Sequence, residues 1–133
     1  MPTIDGAFEV NLTPQPADAR EGADFLGRLN IDKSFHGELE ATSVGQMLAA
    51  RGDQPASAGY VAIERVTGTL GGRSGSFILQ HSGHSNPAGQ SLKINVVADS
   101  GTGELRGLTG SMKIIIEPGG GHFYEFDYEL PTS

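Results

Sequence analysis

Residues 122–130, HFYEFDYEL, decide the fold class of this chain, because large apolar side chains alternate with charged ones along the stretch. The apolar set at one parity is Tyr124, Phe126, Tyr128 and Leu130. The positions between them, 125, 127 and 129, all carry carboxylates. Successive side chains of a β-strand point to opposite faces of its sheet. The stretch therefore predicts a strand with one buried and one solvated face, as in antiparallel sheets.

The same period of two recurs along most of the chain and predicts about eight strands. It is clear at the start, where Phe8, Val10 and Leu12 alternate with polar residues. The other strands are predicted around Leu29 to Phe35 and over Glu38 to Met47, Tyr60 to Thr69, Ser74 to Ser82, Leu92 to Ala98 and Ser111 to Glu117. A helix from Val44 to Arg51 is an alternative to the end of the third strand, although Gly45 weakens it.

About eight short antiparallel strands must close into a barrel or stack as a sandwich, because an open sheet would leave its edges bare. Glycines inside the predicted strands favour the barrel, since barrels use glycine to bend sharply. These glycines are Gly59, Gly68, Gly75 and Gly110. We therefore predict an all-β fold, a small closed antiparallel barrel, as a single domain over residues 1–133.

One segment is repeated. Residues 68–79, GTLGGRSGSFIL, recur 35 positions later as residues 103–114, GELRGLTGSMKI, with five identical positions. The shared glycines indicate a turn with positive φ, and the alternating apolar residues after them indicate a strand. We interpret the copies as two equivalent corners of the barrel. The alternative is a pair of backbone nests that bind an anion.

Composition excludes several classes of function. The chain has 16 acidic and 9 basic residues, a net charge of −7 and no run of basic residues, which disfavours nucleic acid as a partner. It has no cysteine, so disulfides, thiolate catalysis and cysteine-bound zinc are excluded. No stretch approaches the roughly 18 apolar residues of a membrane span, and the N-terminus lacks the pattern of a leader. A cytoplasmic location is expected.

Motifs for cofactors and metals are also missing. Gly101-Thr102-Gly103 has Arg106 where a dinucleotide fingerprint needs its third glycine, and no phosphate-binding lysine follows. His81 and His84 are three residues apart on a predicted strand, so they point to opposite faces. We expect neither a metal nor a cofactor.

Two polar residues fall on faces that are otherwise apolar. His81 shares its parity with Phe77. Glu64 shares its parity with Tyr60, whereas Arg65 shares its parity with Val61 and Ile63, so one member of this charged pair must lie on a side with apolar neighbours. A buried carboxylate near tyrosines and a histidine is a candidate for proton transfer, because desolvation raises its pKa. Glu64 and His81 are therefore the candidate catalytic residues. The alternatives are a satisfied structural network or exposure at the rim of the barrel.

A small eight-stranded barrel is either filled by its own side chains or holds one small ligand. Our leading hypothesis is that a small apolar or amphipathic molecule binds in the lumen. The predicted ligand-binding residues are Tyr60, Phe77, His81, Tyr124, Phe126 and Tyr128. One alternative is a cyclase- or isomerase-type enzyme that uses the cavity. Another is a packed barrel that acts through self-association as a homodimer.

Several stretches carry a family resemblance. They are Ser34 to Leu39, Gly59 to Val66, Gly75 to Phe77 with Gln80 and His81, Ser100 to Gly110, and His122 to Tyr128. Together they resemble a bacterial family, domain-of-unknown-function family 3224, over nearly the whole chain. The resemblance implies a calycin-like barrel similar to allene oxide cyclases, which enclose an apolar cavity. It implies no established activity. Plant allene oxide cyclases close a fatty-acid epoxide in such a barrel, but none of their functional residues can be matched to positions here.

Overall fold

In the computed structural model, which describes residues 2–131, eight antiparallel strands pair in sequence order and the last pairs with the first. The strands are β1 (Thr3–Pro14), β2 (Gly27–Phe35), β3 (Leu39–Arg51), β4 (Ala58–Leu70), β5 (Arg73–Asn86), β6 (Gly89–Val96), β7 (Thr109–Ile116) and β8 (His122–Glu129). One 3-10 turn, Gly103–Leu105, lies between β6 and β7. Because β8 bonds to β1, the sheet closes into a barrel. Its shortest seam is between β6 and β7, which pair only at Ile94 with Met112 and at Asn95 with Ser111. The prediction of a closed antiparallel barrel is confirmed.

The third strand differs from its predicted boundaries. It continues to Arg51, and every residue from Leu39 to Arg51 pairs with a residue of β4. The alternative of a helix from Val44 is therefore wrong. The reason is that pairing with a long neighbouring strand satisfies the backbone N–H and C=O groups along this segment, which a local pattern cannot reveal.

Side chains fill one end of the barrel, which we call the base. Phe35, Phe77, Tyr124 and Phe126 are fully buried there. The Phe77 and Phe126 rings stack with centroids 5.7 Å apart, and the Phe35 and Tyr124 rings meet edge to face at 5.6 Å. Such contacts between rings leave the lower half of the lumen packed like an ordinary protein interior.

The connection from β6 to β7, residues 97–108, closes the base from below. Leu105 and Leu108 of this connection are each 1% exposed and belong to the same core as Phe77 and Phe126. Thr102 anchors the connection to β5, because its N–H donates to the carbonyl of Ser76 at 2.8 Å. The base is therefore a plugged end.

Both copies of the repeat lie at this base. Leu70 and Leu105 occupy matching positions in the copies and are equally buried, and Gly72 and Gly107 have φ values of 85° and 83°. The first copy turns in a two-residue hairpin, whereas the second includes the 3-10 turn. The copies are thus corners of different length that each lead into a barrel strand.

The opposite end, which we call the mouth, carries the loops 15–26, 52–57, 87–88 and 117–121. The strands β3, β4 and β5 are the longest, with 13 or 14 residues each, and they raise one side of the mouth above the other. Across residues 2–131, no helix has the length and apolar character needed to traverse a bilayer.

Candidate functional site

The upper half of the lumen contains a cavity of about 330 Å³, the mouth cavity. Its wall is apolar and includes Phe8, Val10, Ile31, Met47, Ala62 and Ile114. Exposed side chains of Leu12, Leu92 and Ile116 surround the opening. The cavity is therefore open to solvent above and apolar inside, which is typical of a site for a small molecule.

A second depression of about 350 Å³ adjoins the mouth cavity along the raised side of the barrel. The two share Met47, Tyr60 and Leu92 in their linings. Small residues such as Ala49 and Gly83 line the second depression. An elongated molecule thus has space to extend from the mouth cavity along this side.

Four inward-facing polar residues from neighbouring strands meet below the mouth cavity. Lys33 comes from β2, Ser43 from β3, Glu64 from β4 and His81 from β5. Each has the parity of the apolar residues on its strand, so the barrel turns all four into the interior. We call these four residues the polar cluster.

Glu64 is the centre of the polar cluster and has no exposed surface. Its Oε2 accepts hydrogen bonds from Lys33 Nζ at 2.9 Å and from His81 Nε2 at 2.5 Å. Its Oε1 accepts from the Ser43 hydroxyl at 2.6 Å. Both oxygens of the carboxylate are thus in use, which is what an ionised group requires away from water.

Gly45 makes room for this carboxylate. It lies directly opposite Glu64 in the pairing of β3 with β4. A Cβ at position 45 would come within 2.7 Å of the Glu64 Cβ and 2.1 Å of the Ile63 carbonyl oxygen. The absence of a side chain at this position therefore lets the two strands approach beside Glu64.

The polar cluster keeps Glu64 ionised. Burial by itself raises the pKa of this carboxyl, because a charged group is less stable away from water. The hydrogen bond from His81, the charge of Lys33 and the hydrogen bond from Ser43 outweigh burial and lower the pKa to about 2. The raised pKa expected for a buried carboxylate is therefore wrong, because burial comes with three donors from neighbouring strands. Glu64 is consequently an anion at neutral pH and can only accept hydrogen bonds.

This charge fixes the tautomer of His81. Since Glu64 cannot donate, the proton of the short hydrogen bond resides on His81 Nε2. His81 Nδ1 has no hydrogen-bond partner within residues 2–131, yet no buried side-chain nitrogen or oxygen there is unsatisfied. Nδ1 is therefore accessible, and the histidine lines the mouth cavity.

Lys33 lines the same cavity and is 9% exposed. Its ammonium group lies 5.4 Å from the centroid of the Phe8 ring and 5.8 Å from that of Phe35, within range of cation–π attraction. One of its three protons bonds Glu64. The other two can serve a bound molecule.

Tyr60 stands beside the polar cluster on β4, and its ring centroid is 6.3 Å from that of His81. Burial raises the pKa of its phenol, and the negative charge of Glu64 raises it further. The phenol is therefore neutral at physiological pH and available as a hydrogen-bond donor.

The structure separates the residues predicted to bind a ligand into two groups. Tyr60 and His81 line the mouth cavity. Directly beneath them lies Glu64, which was predicted as a catalytic residue. The other four, Phe77, Tyr124, Phe126 and Tyr128, are buried toward the base. The Tyr124 hydroxyl is also engaged, since it donates to the carbonyl oxygen of His36 at 2.9 Å.

Two members of the polar cluster were missed by the sequence analysis. Lys33 has the parity of Ile31 and Phe35, and Ser43 has the parity of Ala41. The alternation that singled out Glu64 and His81 thus also marks Lys33 as a charged residue on an apolar face. Its partner, however, is 31 residues away in the sequence and is brought close only by barrel closure.

The two histidines considered as metal ligands lie on opposite sides of β5, with His81 buried and His84 exposed. Over residues 2–131, no group of three His, Asp or Glu side chains is arranged to hold a metal ion. The polar cluster offers one carboxylate and one imidazole, together with an ammonium group that repels cations.

Comparisons with known proteins agree on the family. The family model described as "Protein of unknown function (DUF3224)" matches residues 4–128. A crystal structure of a DUF3224 protein of unknown function from Shewanella oneidensis MR-1 is similar to this chain, with 49% identity and a TM-score of 0.91. The similarity covers 100% of this chain and 99% of that one. Among curated proteins, none matches significantly. The chain therefore belongs to the DUF3224 family.

Proposed function

We propose that this protein binds a small apolar or amphipathic molecule in the mouth cavity. The observation that carries the proposal is the division of the lumen into a packed base and an open upper half whose apolar wall ends at Lys33 and His81. An apolar body can lie against Ile31, Ala62 and Ile114 and be removed from water. A polar group at its inner end can then meet the two nitrogens.

Charge supports this orientation. The chain is strongly acidic. Among residues 2–131, however, the Lys, Arg, Asp or Glu residue that lines the cavity is the basic Lys33. Its counter-ion Glu64 lies behind it and is shielded from the cavity. A molecule in the cavity thus meets the Lys33 ammonium group before it meets the carboxylate, which favours a polar group with a free lone pair.

Binding can be tested with an uncharged fluorescent probe, N-phenyl-1-naphthylamine. We expect a saturable rise in its fluorescence, with a dissociation constant in the range of roughly 1–100 μM for a mainly apolar contact. The variant Ala62→Phe places a ring in the cavity from the inner face of β4. We expect it to weaken binding by at least about tenfold.

The matched control is Val61→Phe, one residue earlier on the same strand. Val61 points outward and is 53% exposed, so the same ring there leaves the cavity unchanged. Native mass spectrometry of the purified protein provides an independent test, as a bound cellular molecule adds a defined mass. Equal binding by wild type and a folded Ala62→Phe variant, or no saturable binding at all, would contradict the proposal.

A second candidate function, a cyclase- or isomerase-type reaction in the same cavity, is favoured by one observation. This is the hydrogen bond from His81 to the ionised Glu64 beside Lys33.

The homodimer and the cytoplasmic location stay predictions. Sedimentation tests the former, and the exposed outer side chains of Val44, Val61 and Ile63 are where we would expect contact.

A further inference from the structure

We infer that the mouth cavity catalyses proton transfer on a bound apolar ketone: His81 removes a proton from the carbon next to the carbonyl group, and Lys33 stabilises the enolate oxygen. This inference rests on the proposed binding function and extends it to a reaction and a substrate class. Three features of the mouth cavity support it. They are a histidine oriented by a carboxylate, a lysine beside that histidine, and an apolar wall around both.

The base is His81 Nδ1. Because Nε2 carries the proton given to Glu64, Nδ1 has a lone pair whenever the ring holds a single proton. Nδ1 is accessible from the cavity and lacks a protein partner in the described residues. A carboxylate that holds an imidazole in this way fixes its orientation and stabilises the imidazolium that forms when Nδ1 takes a proton. Glu64 is therefore a positioning residue.

The cation is Lys33. Its Nζ and His81 Nε2 contact the same oxygen of Glu64, so these two nitrogens are no farther apart than the sum of the two distances, about 5.4 Å. The base Nδ1 is separated from Nε2 by one carbon of the same ring, so a ketone in the cavity can present its α-carbon to Nδ1 and its oxygen to the ammonium group. Donors placed where negative charge develops are a main source of rate enhancement in such reactions.

The charges balance through the step. The C–H bond breaks, its proton goes to His81 Nδ1, and its electron pair forms a C=C bond while the carbonyl π pair moves to oxygen. The enolate then faces two cations, Lys33 and the imidazolium, with Glu64 as the second anion. Return of the proton to the same carbon exchanges its hydrogen, and return to another carbon of a conjugated system isomerises the molecule. No oxidant, reductant or co-reactant is required.

The enclosure strengthens these interactions. Phe8, Ile31 and Ala62 are each at most 5% exposed and lie in the wall around the polar cluster. With an apolar molecule in the mouth, water is displaced from the reacting atoms, and the attraction between Lys33 and the enolate oxygen acts in a medium of low dielectric constant.

The test uses 2-tetralone, a compact ketone whose C1 protons are acidic. Exchange of these protons is followed by proton NMR in deuterated buffer near neutral pH. We expect saturable exchange on the order of 10,000-fold faster than in buffer, with about 100-fold from the placed general base and about 100-fold from the placed cation. Binding is measured separately with naphthalene and with 2-naphthol, an aromatic analogue of the enol. We expect 2-naphthol to bind about tenfold more tightly, because its hydroxyl meets Lys33 and His81.

The decisive variants are His81→Phe and Lys33→Met. We expect His81→Phe to lower exchange to the buffer rate while naphthalene still binds, and Lys33→Met to lower kcat by about 100-fold. His81→Gln is a second variant in case the first does not fold, because glutamine can still donate to Glu64 but is not a base. Ser82→Phe is the control on the same strand, since Ser82 is exposed on the other face of β5 directly beside His81.

The positioning role of Glu64 has its own readout. We expect Glu64→Gln to lower kcat for exchange while KM for 2-tetralone stays within about threefold, as loss of orientation affects the transition state more than binding.

The outcomes separate the two proposals. If naphthalene and 2-tetralone bind but exchange is absent, or is equal in wild type and a folded His81 variant, the reaction is overturned and the binding function stands. If none of the three compounds binds and N-phenyl-1-naphthylamine also fails to bind, both proposals fall.

Discussion

The carboxylate of Glu64 accepts three side-chain hydrogen bonds in the interior of the barrel. An unpaired anion at this depth would cost several kcal/mol, so its three donors make its burial possible. They come from residues 21, 31 and 17 positions away in the sequence. A single residue thereby ties four strands of the barrel to one point.

We expect Glu64→Gln to lower the free energy of unfolding by roughly 3 kcal/mol at pH 7, because the change leaves Lys33 buried without its counter-ion. Urea denaturation measures the effect. The control is Glu129→Gln, an exposed carboxylate, which should change stability by less than about 0.5 kcal/mol. Equal effects at the two positions would contradict the role given to the polar cluster.

The same prediction has a pH dependence with a definite sign. The pKa of Glu64 falls from an ordinary value of 4.5 to about 2 on folding, so ionisation stabilises the folded state above pH 4.5. That contribution is lost as the pH falls toward 2. The difference in stability between wild type and Glu64→Gln should therefore shrink between pH 5 and pH 2, by roughly 3 kcal/mol if the whole shift acts on folding.

At the scale of elements, the connection between β6 and β7 is held against β5 at a site that needs glycine. A Cβ at Gly75 would come 2.1 Å from the Thr102 carbonyl oxygen. An alanine at position 75 would therefore push the backbone at Thr102 away from β5, and Leu105 would be displaced from the base with it. The first copy of the repeat thus supplies the glycine against which the connection packs, and the second copy supplies the buried Leu105.

We expect Gly75→Ala to destabilise the protein by about 2 kcal/mol or more, because the added methyl group forces the connection away from β5. Gly59→Ala is the matched control inside β4, since the nearest atom to a Cβ there is 3.9 Å away. Alanine at position 59 should be neutral or stabilise by up to about 1 kcal/mol. Thermal unfolding of the two variants distinguishes these results, and a neutral Gly75→Ala would contradict the close approach.

Over the whole molecule, the aromatic core and the open cavity lie in opposite halves of the barrel. The base contains the stacked aromatic rings and the plug of Leu105 and Leu108. The mouth has exposed apolar side chains around an open cavity. Packing at one end thus allows the other end to remain incompletely filled.

We expect Phe126→Ala to cost about 3–5 kcal/mol, the usual effect of removing a buried ring. Ile116→Ala at the mouth should cost less than about 1 kcal/mol, because Ile116 is 66% exposed. In fully folded protein, we expect Ile116→Ala to weaken the binding of N-phenyl-1-naphthylamine more than Phe126→Ala does. A large loss of stability from Ile116→Ala would show that the mouth also supports the fold.

Much of this arrangement could be predicted from alternation. It placed Tyr124 and Phe126 inside, indicated that Glu64 or Arg65 lies on an apolar face, and indicated closure into a barrel. The structure shows that Glu64 is the buried one. Alternation could not find the polar cluster as a whole, since Lys33 and Ser43 join it through strand pairings that no local pattern specifies. It also grouped Tyr124 and Phe126 with Tyr60 as ligand contacts, although they pack in the base.

The sequence by itself determined which residues of a strand share a face, because side chains one residue apart must point in opposite directions. Only the tertiary structure decided how high in the barrel each inward residue lies. Phe77 and His81 share a face of β5, yet one packs in the base and the other reaches the cavity. Height depends on the register between strands and on what closes each end, and these are set by contacts between distant parts of the chain.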